Sequence, residues 1–181
     1  MKIKTLTISA ILIAIGVIIP LFSPIKIVME PASFTLASHV AIFIGMFISP
    51  SVGISVALGT AFGFLLSAPL VVALRAFSQV IFVAIGAHIL KNKPGILNHP
   101  NNNLLFLVLI STIHSLGEVI VVSLFYFSGN AVGAYYDNGF YVAVLGLVGI
   151  GTFVHSMIDY YIALFVKNRI EKAGYDKVFM Q

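Results

Sequence analysis

The chain has 181 residues, of which 60% are hydrophobic and only 9% are charged, and its mean hydropathy is +1.08. A soluble domain of this size needs more charge on its surface, so the composition indicates a polytopic membrane protein with no room for a soluble catalytic or nucleotide-binding domain. The formal net charge is +4, and the lack of cysteine excludes disulfides, thiolate catalysis and sulfur-ligated metals.

Six apolar segments separated by short polar loops follow one another along the chain. A helix that spans the membrane needs about 20 apolar residues, and the chain has room for six such helices. We therefore predict an all-α membrane protein with a single domain, residues 1–181, built as a compact bundle of six transmembrane helices. The predicted spans are Thr5–Phe22, Ala32–Ile48, Val52–Leu66, the segment from the Ser67–Pro69 turn to Leu90, Leu104–Phe127 and Phe140–Val166.

The positive charges predict the orientation of this bundle. If the N-terminus is cytoplasmic, Lys26 is the only cation in an outer loop, and an even number of spans returns the C-terminus to the same side. The inner side then carries Lys2, Lys4, Lys91, Lys93, Lys167, Arg169, Lys172 and Lys177. Membrane proteins concentrate cations on the cytoplasmic side, so both termini are predicted to be cytoplasmic. The same placement argues against a nucleic-acid partner.

Arg75 lies in an apolar stretch and is the first candidate for function. A guanidinium at the centre of a spanning helix costs roughly 2.5–3.5 kcal/mol in insertion assays, so it must face protein, water or a ligand. Three interpretations remain open: an anionic ligand, a structural ion pair with Glu118, or extension of the side chain to the outer surface. At about 1.5 Å per residue, Arg75 lies roughly 9 Å below Pro69. We predict a substrate pocket formed by Arg75, Gln79, His39 and Glu118, with Tyr135, Tyr136 and Tyr141 near its mouth.

Two histidines precede carboxylates by four residues on a helix, which places each pair on one helical face. These pairs are His114 with Glu118 and His155 with Asp159. They can bond neighbouring helices, bind a divalent metal or relay protons. We favour hydrogen bonding between helices, predict no metal or other cofactor, and expect the second pair near the cytoplasmic end. The chain has no catalytic signature, so we predict that it is not an enzyme.

Small residues spaced four apart mark places where helices approach each other closely. Ala10 and Ala14 form such a pair in the first span, and Gly59 and Gly63 form another in the third. Each pair can serve ordinary packing within the chain or docking onto another membrane subunit.

Taken together, six compact spans, a basic N-terminus and Ala10-x-x-x-Ala14 resemble the substrate-binding (S) components of energy-coupling factor vitamin transporters. The stretch Pro31–Val40, PASFTLASHV, followed by Met46–Pro50, MFISP, is similar to the niacin-type members. The resemblance covers the whole chain and implies a multi-pass protein of a prokaryotic cell membrane. It also implies that the alanine pair faces a transmembrane coupling subunit, which two cytoplasmic ATPases drive.

The resemblance further implies vitamin binding near the outer face, between the first outer loop and spans four to six. Transport would then involve rotation of the loaded protein on the coupling subunit as ATP is hydrolysed. Niacin and pantothenate both carry a carboxylate that could meet Arg75, and the sequence does not separate them. A different class also remains open, a stand-alone channel or proton-coupled carrier that uses His114, Glu118, His155 and Asp159 as a relay. A membrane-embedded enzyme is a third hypothesis.

Overall fold

The computed structural model describes residues 3–29, 32–93, 95–131 and 133–179. A π-helical segment, Tyr141–Ile150, runs directly into the last long helix, and a 3-10 turn, Ile96–Asn98, precedes the longest one. The remaining elements are α1 (Ile3–Phe22), β1 (Lys26–Met29), β2 (Ala32–Thr35), α2 (Val40–Ile48), α3 (Pro50–Ser67), α4 (Leu70–Asn92), α5 (Pro100–Phe127), α6 (Gly133–Asp137), α7 (Gly151–Ile170), a π turn (Glu171–Tyr175) and a 3-10 turn (Asp176–Val178).

Within the described ranges, five helices are long and apolar enough to cross a membrane: α1, α3, α4, α5 and the continuous helix that begins at Tyr141. The prediction of a helical membrane protein is therefore confirmed, but the count of six spans is not. The second predicted segment contains only the nine residues of α2, about 14 Å at 1.5 Å per residue. The single domain and the cytoplasmic location of both termini stay predictions.

The segment before α2 is an antiparallel hairpin instead of the helix that the sequence predicts from Ala32. In this hairpin β1 pairs with β2, and Ile27 lies opposite Phe34. Hydrophobicity alone does not distinguish a short apolar strand from a piece of a buried helix. The β-branched and aromatic residues of these strands suit a pleated, half-buried surface. The prediction that the second span begins at Ala32 is therefore wrong. The assignment of Ser23–Pro31 as loop throughout is also wrong, because Lys26–Met29 is a strand, while Glu30 and Pro31 lie outside the described residues.

The short helix α2 lies at the centre of the bundle. All of its residues from Val40 to Phe47 are buried, as expected for a helix that is hydrophobic on every side. The ring of Phe43 packs against Phe82 of α4 and against Tyr160 of α7, with ring centroids 5.5 Å apart in both contacts. This aromatic cluster fills the middle of the bundle beneath the hairpin.

The peripheral helix α1 packs closely onto α3 at two glycines. A Cβ atom added to Gly59 would lie 2.6 Å from Ile13, and one added to Gly63 would overlap with Val17. Because real Cβ atoms do not approach other atoms so closely, these two positions require glycine. The interpretation of this pair as packing within the chain is confirmed.

The alanine pair of α1 has a different environment. Ala10 and Ala14 are both exposed, on a helix of which most of the surface has no cover from the rest of the chain. Contact of these alanines with a coupling subunit stays a prediction.

Candidate functional site

A cavity of about 390 Å³ opens at the hairpin end of the bundle, which is the extracellular end in the predicted orientation. Phe34 of the hairpin and Phe64 of α3 contribute apolar walls. The polar side chains that line it are Thr35, Ser38, His39, Thr60, Ser67, Arg75, Gln79, Glu118, Thr152 and His155. The four residues predicted to form the pocket, Arg75, Gln79, His39 and Glu118, therefore do meet in one cavity. Their contact with a substrate stays a prediction.

Arg75 makes an ion pair with Glu118 at the wall of this cavity. Its Nη2 and Nε donate to Oε2 of the carboxylate over 2.6 and 3.1 Å. The side chain of Glu118 is 4% exposed, whereas that of Arg75 is 14% exposed and faces the cavity. A guanidinium has more N–H donors than these two bonds use. The ion-pair interpretation and the ligand interpretation of Arg75 are thus compatible.

Glu118 also contacts α7 and the preceding turn of its own helix, α5. The hydroxyl of Thr152 donates to its Oε2 over 2.7 Å, and Nε2 of His114 lies 3.3 Å from its Oε1. Nδ1 of His114 is 3.2 Å from the hydroxyl of Ser156. Buried charges need several partners of this kind to offset their desolvation. Glu118 is therefore held in one position, and through it so is the guanidinium of Arg75.

His39 links the hairpin to three helices. Its Nδ1 lies 3.1 Å from Oδ2 of Asp159, and its Nε2 lies 3.1 Å from the amide nitrogen of Gln79. The rings of His114 and His155 pack edge-on against the ring of His39, with centroids 4.8 and 5.0 Å away. This places a ring nitrogen and an amide side by side at the cavity wall.

Asp159 positions the turn between the hairpin and α2. Its carboxylate accepts hydrogen bonds from the backbone N–H groups of Ala37 and His39, over 2.8 and 2.9 Å. Ala37 has φ 67°, a left-handed conformation that is unfavourable for a residue with a Cβ. These bonds across the bundle satisfy N–H groups that precede the first turn of α2. Asp159 therefore holds Ser38 and His39 against the cavity.

His155 lines the same cavity, with its Nε2 3.0 Å from the hydroxyl of Ser38. The expectation that His155 and Asp159 lie near the cytoplasmic end is therefore wrong. The helix before them is π-wound from Tyr141 to Ile150, and a π-helix advances less per residue than an α-helix. The hairpin also descends into the bundle to meet them.

The three predicted tyrosines occupy different places, and the cavity lining given by the described residues includes none of them. Tyr135 is buried beside Arg75; burial raises the pKa of its hydroxyl, and the nearby guanidinium opposes that rise. The hydroxyl of Tyr136 donates to the carbonyl of Tyr126 over 3.1 Å. Tyr141 is 80% exposed. A role at the pocket mouth stays a prediction for all three.

Two sets of side chains bring potential metal ligands within 4.8 Å of one another. They are His39 with His114 and Glu118, and His39 with His155 and Asp159. Most of these atoms already pair within the protein, and Glu118 also pairs with the cation of Arg75. We therefore interpret both sets as side chains that pair within the protein.

The comparison with known proteins decides the family. The niacin transporter NiaX of Lactococcus lactis subsp. cremoris (strain MG1363) is 38% identical to this chain over 173 residues, which are 95% of this chain and 77% of the relative. The chain belongs to the niacin transporter family. This confirms the resemblance to niacin-type members and a multi-pass location in the cell membrane. No protein-family model matches the chain, and no solved structure matches it.

Six polar residues that line this cavity were not predicted as pocket residues: Thr35, Ser38, Thr60, Ser67, Thr152 and His155. A signal for the last two was present in the sequence, because Thr152, His155, Ser156 and Asp159 follow one face of an otherwise apolar helix and all are buried. Ser38 lies in a turn whose path the sequence does not indicate.

Proposed function

We propose that this chain binds niacin at the cavity beneath the hairpin and serves as the substrate-binding subunit of an ATP-driven vitamin importer. Arg75 facing the cavity is the observation that carries the proposal, because a carboxylate is the natural partner of a guanidinium. The identity with NiaX supports niacin over pantothenate as the vitamin.

The cavity offers separate groups for each part of a small aromatic carboxylate. The N–H groups of Arg75 that do not bond Glu118 suit the carboxylate. The amide of Gln79 suits a ring nitrogen, because it has a second N–H besides the one directed at Nε2 of His39. Phe34 supplies an apolar wall for the ring. Thr60 lines the cavity, and its buried hydroxyl has no hydrogen-bond partner among the described residues.

The proposed partners are a transmembrane coupling subunit and two cytoplasmic ATPases, as the family resemblance implies. The chain has no nucleotide-binding motif, so a partner must supply the energy of ATP. The exposed Ala10 and Ala14 offer a face at which another helix can approach closely.

The alternative of a proton-coupled carrier receives less support. The polar network around Glu118, His39 and Asp159 lies on the hairpin side of the aromatic cluster of Phe43 and Tyr160. A relay needs polar groups on both sides of such a barrier. Among the described residues, the hydrogen bonds of this network do not pass through the cluster.

Calorimetric titration of the purified protein tests the proposal. We expect saturable binding of nicotinate, much weaker binding of nicotinamide because it lacks the negative charge, and weaker binding of pantothenate. Uptake by cells is expected to require co-expressed ATPases and to be insensitive to collapse of the proton gradient. Equal affinity for nicotinate and nicotinamide would contradict the role of Arg75, and uptake without ATPases would support a carrier.

A further inference from the structure

A second cavity, of about 440 Å³, lies at the other end of the bundle, between the last turn of α4 and the first turns of α5. Along α4 it is about 20 Å from Arg75 at 1.5 Å per residue. The 3-10 turn Ile96–Asn98 borders it through Ile96. This cavity is separate from the proposed vitamin site, and its occupancy does not depend on that site. We refer to it as the basic groove.

The polar lining of the basic groove suits an anion. It consists of the ammonium of Lys93, the imidazole of His88 and the amides of Asn92 and Asn102, and it includes no carboxylate among the described residues. The connecting segment 91–103 contains no Asp or Glu at all. A negatively charged group in this groove would therefore meet a cation and neutral donors without a repelling charge.

The apolar lining of the basic groove faces the membrane. Leu105 is 71% exposed and Leu109 is 44% exposed, on the same side of α5 and one turn apart, while Phe106 is buried beneath them. Because α5 is a spanning helix, these exposed side chains lie in hydrocarbon. An occupant of the groove must therefore combine an anionic group at the end of the helices with an alkyl chain beside them.

We propose that the basic groove binds an anionic phospholipid. Its phosphate group contacts Lys93 with support from His88 and Asn102, and one acyl chain follows Leu105 and Leu109 along α5. In the predicted orientation this is the cytoplasmic leaflet, in which anionic lipids attract basic residues at the ends of spanning helices. Lys93 directly follows the last residue of α4, and its backbone N–H donates to the carbonyl of Ile89. This bond fixes the position from which its side chain reaches the groove.

Native mass spectrometry of the full-length, delipidated protein tests this proposal. The probes are phosphatidylglycerol, phosphatidylcholine with the same acyl chains, and inorganic phosphate. We expect phosphatidylglycerol to bind saturably and more tightly than phosphatidylcholine. Lys93→Gln should weaken the binding of phosphatidylglycerol roughly fivefold, the effect of about one lysine near an anionic membrane surface.

Lys91→Gln is the matched control, because Lys91 is exposed on the same turn but does not line the groove. It should leave the affinity for phosphatidylglycerol unchanged, and both variants should unfold at the temperature of the parent protein in phosphatidylcholine micelles. Equal losses of affinity in Lys93→Gln and Lys91→Gln would mean that phosphatidylglycerol responds to the overall positive charge of this surface and not to the groove. That result would overturn the proposal. Equal binding of the two lipids would also overturn it, as would displacement of phosphatidylglycerol by millimolar inorganic phosphate, which would indicate an anion site without an acyl chain.

Discussion

Replacement of Arg75 separates its two roles, support of Glu118 and contact with the vitamin. Arg75→Ala removes both bonds to a carboxylate that is only 4% exposed. The carboxylate keeps the hydroxyl of Thr152 and Nε2 of His114, neither of which carries a permanent charge. Breaking a buried ion pair in this way costs about 3–5 kcal/mol of stability. Loss of a charge-assisted bond to the vitamin costs about 1.5–3 kcal/mol, or roughly 10- to 150-fold in Kd.

Neutral replacements keep these two effects apart. The double variant Arg75→Gln with Glu118→Gln has no buried charge at this pair and should recover most of the lost stability. Its affinity for nicotinate should nevertheless stay at least about 10-fold below that of the parent. Glu118→Gln alone leaves the guanidinium without its carboxylate, so nicotinate should bind at least as tightly and raise the unfolding temperature by more than in the parent.

The assays are thermal unfolding with and without nicotinate, and calorimetric titration of each variant in the same detergent. If the double variant binds nicotinate as tightly as the parent, Arg75 serves only to neutralise Glu118. Our assignment of the carboxylate site would then be refuted. A large loss of affinity in Glu118→Gln would show that nicotinate binding depends on the carboxylate that holds the guanidinium in place.

Three other variants probe the hairpin contacts and the exposed face of α1. Asp159→Asn should lower stability by about 1–3 kcal/mol and weaken nicotinate binding, because the two backbone N–H groups bond different carboxylate oxygens and the amide nitrogen that replaces one of them cannot accept. Unchanged unfolding and affinity would refute this. Gly151→Ala should weaken nicotinate binding, because the added Cβ would overlap with the ring of Phe34 at the cavity wall. Gly146→Ala is the control and should leave binding unchanged, because its added Cβ would lie 3.5 Å from the nearest atom. Ala14→Trp should preserve nicotinate binding by the purified protein but reduce uptake in cells that contain the coupling subunits, and normal uptake would argue against docking at this face.

The sequence by itself was sufficient to predict the membrane location, the apolar helices and four residues that meet in one cavity. Arg75 and Glu118 could be found because a charge inside an apolar helix is costly and must face a partner. Helical spacing then placed Gln79 one turn from Arg75. His39 was predicted beside them as part of a helix from Ala32, and it lines the cavity although Ala32–Thr35 is a strand. The predictions of Arg75, Glu118 and Gln79 rest on helical spacing and on the apolar environment of the membrane. Both can be worked out from the order of residues along the chain.

Only the tertiary structure decided how the hairpin enters the bundle. The left-handed turn at Ala37 forms because a carboxylate 122 residues away, that of Asp159, accepts its N–H, and no local pattern reveals such a bond. The same contact brings Ser38 and His155 to the cavity, while α6 carries Tyr136 away from it. Strand pairing and turn conformation depend on partners distant in sequence, whereas helix formation and the cost of a buried charge depend on neighbours and on the membrane.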